Sequence, residues 1–248
     1  MTLDILAPRQ QPLLARFARG SVLLAFDYDG TLAPIASSPE IVRMRVRTRR
    51  LLTEVALRYP VIAISGRPLA DLAARLDGIP LRALFGNYGA EPVGRHVKPP
   101  TELWAAHLQR HLLEHPGVVV EDKQYSVTVH YRHARHRTQA HDDAVAAART
   151  LHGVRLLGGV QAVTILPAHG TNKGATLQRI RRSLACDTAL YAGDDDTDED
   201  AFRSDTASRL LAIRMGASDA TAAGYHLDRQ TDIDRLLQAL IALRAAPA

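Results

Sequence analysis

Three short apolar runs, SVLLAF (21–26), PVIAISG (60–66) and TALYAG (188–193), each stop abruptly at glycine or polar residues. Apolar runs of this length without strict alternation are buried on both faces, the pattern of parallel strands covered by helices. The stretches between them supply those helices. Residues 40–58 are rich in Arg, Leu and Val, LADLAARLDG (69–78) has helical spacing and a glycine stop, and NKGATLQRIRRSL (172–184) repeats the pattern. RLLAIRMG (209–216) adds a strand and TDIDRLLQALIALRAA (231–246) a closing helix. This alternation predicts an α/β fold with a Rossmann-like parallel sheet.

The rhythm breaks after residue 92. PTELWAAHLQRHLLEH (100–115) is an amphipathic helix, with Trp104 expected in a core. GVVVEDK (117–123) and YSVTVHYR (125–132) alternate like two antiparallel strands, DDAVAAARTLH (142–152) reads as a helix, and residues 154–167 read as a hairpin around Gly158 and Gly159. The expected organisation is a core formed by residues 1–92 and 168–248, with an α+β domain inserted at 93–167.

At 248 residues the chain can hold one large domain or two small ones. No apolar stretch reaches the ~18 residues of a membrane span. The start, MTLDILAPRQQ, lacks a basic segment followed by a long apolar one, so a cytoplasmic location is expected. Cys186 is the single cysteine and cannot form an intrachain disulfide. The net charge of +5 is spread along the chain without a basic block. RMRVRTRR (43–50) has no aromatic residues for base stacking and is expected to be an exposed helix face. The basic excess fits a small anionic substrate better than nucleic acid. HYRHARHRTQAH (130–141) is expected to be a solvated basic edge, since no second histidine or cysteine cluster has zinc spacing. Oligomeric state cannot be read from these features.

Ligands of open parallel sheets bind outside the carboxyl ends of the strands. Asp27 and Asp29 follow SVLLAF at such an end, Asp194, Asp195 and Asp196 follow TALYAG at another, and Ser65 follows a third. Four or more carboxylates converging there repel one another unless a hard cation sits between them, and an oxygen-rich set with few histidines suits magnesium. Phosphate is the natural companion. Lys173 begins a helix and supplies a point charge, Ser65 a hydroxyl, and Gly30 and Thr31 loop amides. One aspartate can attack phosphorus, and a second, two residues on, can carry the proton. Of the 31 basic residues only Lys98, Lys123 and Lys173 are lysines. A position that keeps lysine in so arginine-rich a chain calls for a compact ammonium.

DYDGT (27–31), SGR (65–67), the lysine of TNKG (171–174) and GDDDTDEDAF (193–202) together resemble the haloacid dehalogenase superfamily of phosphatases in its subclass with an α/β cap. DYDGTLAPI, SGRPLADL and EDKQYSVTVHYR narrow the resemblance to its trehalose-phosphatase family, over nearly the whole chain from residue 20. The resemblance implies Asp27 as nucleophile and Asp29 as general acid/base, with Ser65 and Lys173 holding the phosphoryl group. It implies Asp27, the Asp29 carbonyl and Asp194 as Mg2+ ligands, with Asp195 and Asp198 as outer or additional ones. Thr31 offers its loop amide to the phosphate and Arg67 holds or braces the phosphate loop, while Tyr88, Glu91, Lys98, Glu121, Lys123 and Thr164 fall on the sugar side. The family has histidine where Tyr88 stands, glutamate where Thr164 stands, and aspartate where Asn172 stands. The implied activity is Mg2+-dependent hydrolysis of trehalose 6-phosphate through an aspartyl phosphate, with the cap closing over the sugar. Other sugar phosphates (sucrose phosphate, a glycosyl-3-phosphoglycerate, an amino-sugar phosphate) and a non-catalytic sensor are the alternatives.

Overall fold

A computed structural model of the chain describes residues 2–36, 38–92, 98–159 and 161–245. It divides into two compact units, Met1–Pro92 with Asn172–Ala248, and Val93–Thr171. The expected start of the insert, residues 93–97, lies outside the described residues.

In chain order the elements are β1 (Leu3–Asp4), α1 (Gln11–Arg19), β2 (Val22–Phe26), α2 (Val46–Ala56), β3 (Val61–Ile64), α3 (Leu69–Leu76) and β4 (Ala83–Phe85). The second unit contributes α4 (Thr101–His111), β5 (Val119–Asp122), β6 (Val127–His130), α5 (Arg137–Arg149), β7 (Val154–Gly159) and β8 (Ala162–Pro167). The first resumes with α6 (Lys173–Ser183), β9 (Thr188–Gly193), α7 (Glu199–Phe202), β10 (Leu210–Met215), β11 (Tyr225–Leu227) and α8 (Ile233–Ala245).

The first unit is built on a seven-stranded sheet in the order β1-β11-β10-β9-β2-β3-β4, parallel throughout. All five residues of β2 are buried. Val22, Leu24 and Phe26 pack into one core with Leu52, Val55, Leu236 and Leu240, while Leu23 and Ala25 pack into another with Leu177, Tyr191 and Phe202. Helices thus cover both faces, the arrangement that an uninterrupted apolar strand demands. Each fully buried Leu, Ile or Phe contributes about 1.5–3 kcal/mol relative to an exposed one. The strand order reverses between β2 and β9, so this α/β sheet has its switch point there.

The second unit is a four-stranded antiparallel sheet in the order β5-β6-β8-β7. Val127, Val129, Val163 and Ile165 pack with Trp104, Leu108 and Ala144 from α4 and α5 in a core of its own. Trp104 is 6% exposed, as its place on the amphipathic helix predicts.

Two local expectations are refined by the structure, and one feature was not anticipated. The helix expected over 40–58 begins only at Val46 and ends at Ala56. The basic stretch is mainly an exposed face, as expected, with Arg43, Val46, Arg47 and Arg50 exposed, but Arg45 reaches Asp234 at 3.2 Å, and Arg49 donates to the carbonyls of Asp77 and Arg75 at 2.6 Å. Arginine's fork allows one side chain to cap two carbonyls, which hides its charge from pattern reading. The edge of the large sheet, β1 and β11, has strands of two and three residues, too short to leave a periodicity.

Candidate active site

Asp27 leaves the carboxyl end of β2 and its backbone N–H donates to Ala192 O at 2.9 Å, tying the nucleophile candidate to β9 at the switch point. Gly193 closes β9 and Asp194 follows it. The intervening turn must be tight. Gly30 sits at φ +75°, and a Cβ there would lie 2.0 Å from Asp194 Oδ2, so only glycine lets the two loops approach. Thr31, fully buried, donates its hydroxyl to Asp194 Oδ1 at 3.4 Å.

Lys173 is the first residue of α6, whose N-cap Asn172 accepts from Ala175 N at 2.7 Å. This replaces the aspartate of the family pattern without loss of the cap. The helix start delivers the Lys173 ammonium, 2% exposed, to Asp27 Oδ1 at 3.0 Å and Asp198 Oδ1 at 2.8 Å. Burial opposes its charge, but Asp198 and Asp27 outweigh burial and hold the ammonium well above the ordinary lysine range. Asp198 is saturated with donors. Its Oδ1 also accepts Tyr191 Oη at 2.6 Å, and its Oδ2 accepts the N–H groups of Asp194 and Asp195 at 2.9 and 3.1 Å. Despite burial, Lys173 and these bonds keep Asp198 below the usual carboxylate range.

Asp27 and Asp194 behave oppositely. Burial, with Asp198 and neighbouring aspartates adding to it, pushes Asp194 up to about 8. Burial likewise raises Asp27 well above its ordinary value against the pull of Lys173. Asp195 rises to about 6 for the same reason, and its Oδ1 accepts the N–H and hydroxyl of Thr197 at 2.9 and 2.6 Å. A cation resolves this conflict. Asp27, Asp194 and Asp198 each offer a carboxylate oxygen within 4.8 Å of the others, a set of hard oxygen donors that fits a divalent cation. Asp198, with both oxygens occupied, serves more as the brace of this set than as its open donor.

Asp29 is gripped by Arg67, whose Nε reaches Oδ2 at 2.7 Å and Nη2 reaches Oδ1 at 2.6 Å. Arg67 also donates to Asp71 Oδ2 at 2.7 Å, one helical turn on. Ser65, 1% exposed, directly follows β3, and its Oγ accepts Arg67 N at 3.2 Å. Tyr88 N donates to Ser65 O at 2.9 Å. The Tyr88 ring lies against Gly66, where a Cβ would come within 2.7 Å of it. Asn87 and Tyr88 hold this loop at φ 47° and 58°, left-handed conformations that cost non-glycine residues about 1 kcal/mol or more each. Glu91 accepts the N–H of Leu69 at 2.8 Å and the amide of Asn87 at 2.7 Å through Oε2, so it anchors this loop to the start of α3.

The remaining predicted residues belong to the second unit. Lys98 is exposed ahead of α4. Glu121, Thr128 and Thr164 are register partners across β5, β6 and β8, and therefore share one face. Thr128 and Thr164 hydroxyls lie 3.2 Å apart. Glu121 Oε2 lies 3.5 Å from Lys123 Nζ and 2.9 Å from His130 Nε2. His130 was expected on a solvated basic edge; it is instead engaged on the strand face. Tyr191, Asp71 and Thr128 escaped the sequence reading, and His130 was read only as part of the basic edge. Alternation along YSVTVHYR points to Thr128 and His130, and the four-residue spacing from Arg67 points to Asp71. No local signal marks Tyr191.

The comparisons with known proteins agree with this geometry. Residues 25–230 match the trehalose-phosphatase family model. A trehalose-phosphate phosphatase of Mycobacterium tuberculosis (strain ATCC 25618 / H37Rv) is 34% identical over 246 residues, 90% of this chain and 62% of that one. The chain spans 49 to 62% of the length of the curated relatives it matches. Among solved structures, the C-terminal domain of C. albicans trehalose-6-phosphate phosphatase superposes with a TM-score of 0.80 at 21% identity, covering 98% of each chain. A subclass IIB sugar phosphatase of the HAD superfamily superposes with a TM-score of 0.60 at 17% identity, covering 87% of this chain and 97% of that one. Both likenesses are of fold. With an acidic switch point at β2 and β9, a buried lysine from α6 and a family match running through all of them, the chain belongs to the trehalose-phosphatase family.

Proposed function

We propose that this protein is a Mg2+-dependent phosphomonoesterase that hydrolyses trehalose 6-phosphate. The observation that carries the proposal is Lys173, buried between Asp27 and Asp198 beside Asp194 at the switch point of the sheet. Asp27 and Asp194, with the Asp29 carbonyl, would hold Mg2+, which offsets their mutual repulsion and the charge of a bound phosphate. Lys173 and Ser65 orient the phosphoryl oxygens. Asp27 attacks phosphorus as the bond to the sugar oxygen breaks, and the departing oxygen takes a proton from Asp29. Asp29 then takes a proton from water, whose oxygen attacks the aspartyl phosphate to release inorganic phosphate and restore Asp27. To meet the leaving oxygen, Asp29 must exchange the Arg67 fork for substrate.

We assign sugar recognition to the polar face of the second unit's sheet, with Glu121, Lys123 and Thr164, and to Tyr88, Glu91 and Lys98. Its carboxylate and hydroxyl groups suit a neutral polyol, and Glu121 disfavours substrates carrying an extra carboxylate, such as a glycosyl phosphoglycerate. The relatives named as trehalose-phosphate phosphatases support the same substrate. The test is phosphate release with Mg2+ over trehalose 6-phosphate, sucrose 6-phosphate, glucose 6-phosphate and glucosyl-3-phosphoglycerate. Trehalose 6-phosphate should lead in kcat/KM by about a hundredfold, roughly 2.7 kcal/mol of discrimination. A different leader would overturn the substrate and leave the phosphatase reading standing.

A further inference from the structure

We infer that His130 is a positioning residue for sugar recognition: it fixes one oxygen of Glu121 so that the other faces the substrate's hydroxyl groups. The inference rests on the reading of Glu121 as a sugar-binding residue. His130 pairs with Val119 in the β5–β6 register, two residues from Glu121, whose own partner is Thr128. Side chains alternate across a strand, so Glu121, Thr128 and His130 share the face opposite Val127 and Val129, which are buried in the helix-covered core.

The geometry is asymmetric. His130 Nε2 lies 2.9 Å from Glu121 Oε2, and Lys123 Nζ lies 3.5 Å from the same oxygen. Oε1 has no partner among the described residues. A glutamate on a strand has three rotatable bonds, and ordering it costs binding free energy unless a neighbour has already done so. His130, with two rotatable bonds of its own, is the stiffer partner. Its hydrogen bond is the largest influence holding the Glu121 carboxyl below its usual range, which keeps both oxygens acceptors. The Glu121 side chain is 45% exposed, so the free oxygen is open to a hydroxyl donor.

A cross-strand pair of this kind also stabilises a sheet, and a purely structural role must be separated from a positioning one. The experiment is a double-mutant cycle on phosphate release from trehalose 6-phosphate with His130→Ala, Glu121→Ala and both together, plus His130→Gln. His130→Ala should raise KM about tenfold with kcat within about threefold of wild type. The double variant should be no worse than Glu121→Ala, because without Glu121 there is nothing for His130 to position. His130→Gln, whose side-chain amide can donate to Glu121, should recover most of the loss. An unchanged KM in His130→Ala, additive losses in the cycle, or a fall confined to kcat without rescue by glutamine would each overturn the inference. If trehalose 6-phosphate is not turned over but another sugar phosphate is, the substrate reading fails, and the same cycle on that compound decides the role of His130. If no sugar phosphate is turned over, the inference falls with the reading.

Discussion

Lys173 and Lys123 both lie beside carboxylates, but in different media. Lys173 is 2% exposed and within 3.0 Å of two carboxylates, one of which accepts three further donors. The Lys123 side chain is 15% exposed and 3.5 Å from a carboxylate that is itself 45% exposed. Buried charges are bound to their partners because removing one strands the other, whereas water takes over at an exposed pair. The first unit therefore couples chemistry to stability. In the second unit the Glu121 carboxylate, 45% exposed, is held more lightly, so its substitution is expected to cost little stability.

Four experiments break or sharpen that contrast. Asp27→Asn should lower kcat by at least about 10⁴-fold, the scale of losing a nucleophile that acts as part of a unit, with circular dichroism unchanged. Residual kcat near wild type would remove Asp27 from its role. Lys173→Met should cost about 3–5 kcal/mol of stability, because Asp27 and Asp198 stay buried without their cation. Denaturant unfolding measures it, and a loss below about 1 kcal/mol would erase the distinction from Lys123.

The third concerns pH and metal. Asp194, raised to about 8 by burial, binds more protons folded than unfolded between its unfolded and folded values. In the absence of a divalent cation its contribution to stability therefore declines as pH rises from about 4 towards 8. Mg2+ favours the charged form and opposes that decline. The gain in Tm on adding Mg2+ should be larger near pH 8 than near pH 5.5, and an equal gain at both would place the cation elsewhere. The smallest effect is expected at Thr164→Val, which breaks the 3.2 Å contact with Thr128. A neutral hydrogen bond is worth about 0.5–1.5 kcal/mol, so kcat/KM should fall no more than about tenfold and Tm by a few degrees. A Tm loss matching that of Lys173→Met would show that the second unit is as tightly coupled as the first.

Much of this was legible in the residues themselves. The apolar run at 21–26 marks a strand buried on both faces, and the aspartates after it are placed by chain connectivity alone. The start of α6 at Lys173 is marked by its cap and its spacing. These features are local, and backbone geometry turns them directly into position. Other features depend on contacts that no local pattern encodes. Arg67 meets Asp29 across 38 residues, because β2 and β3 are neighbours in the sheet. Tyr191 meets Asp198 because the loop after β9 folds back on its own strand. Glu121 meets His130 only in one strand register, and a shift of one residue would turn the two to opposite faces. The sequence alone determined the class of fold and the acidic set to which we assign the chemistry, since strand ends and helix starts follow from periodicity and capping. Which oxygens stay open for substrate was decided by the tertiary structure, because a carboxylate's free lone pairs are those its packed neighbours leave unused.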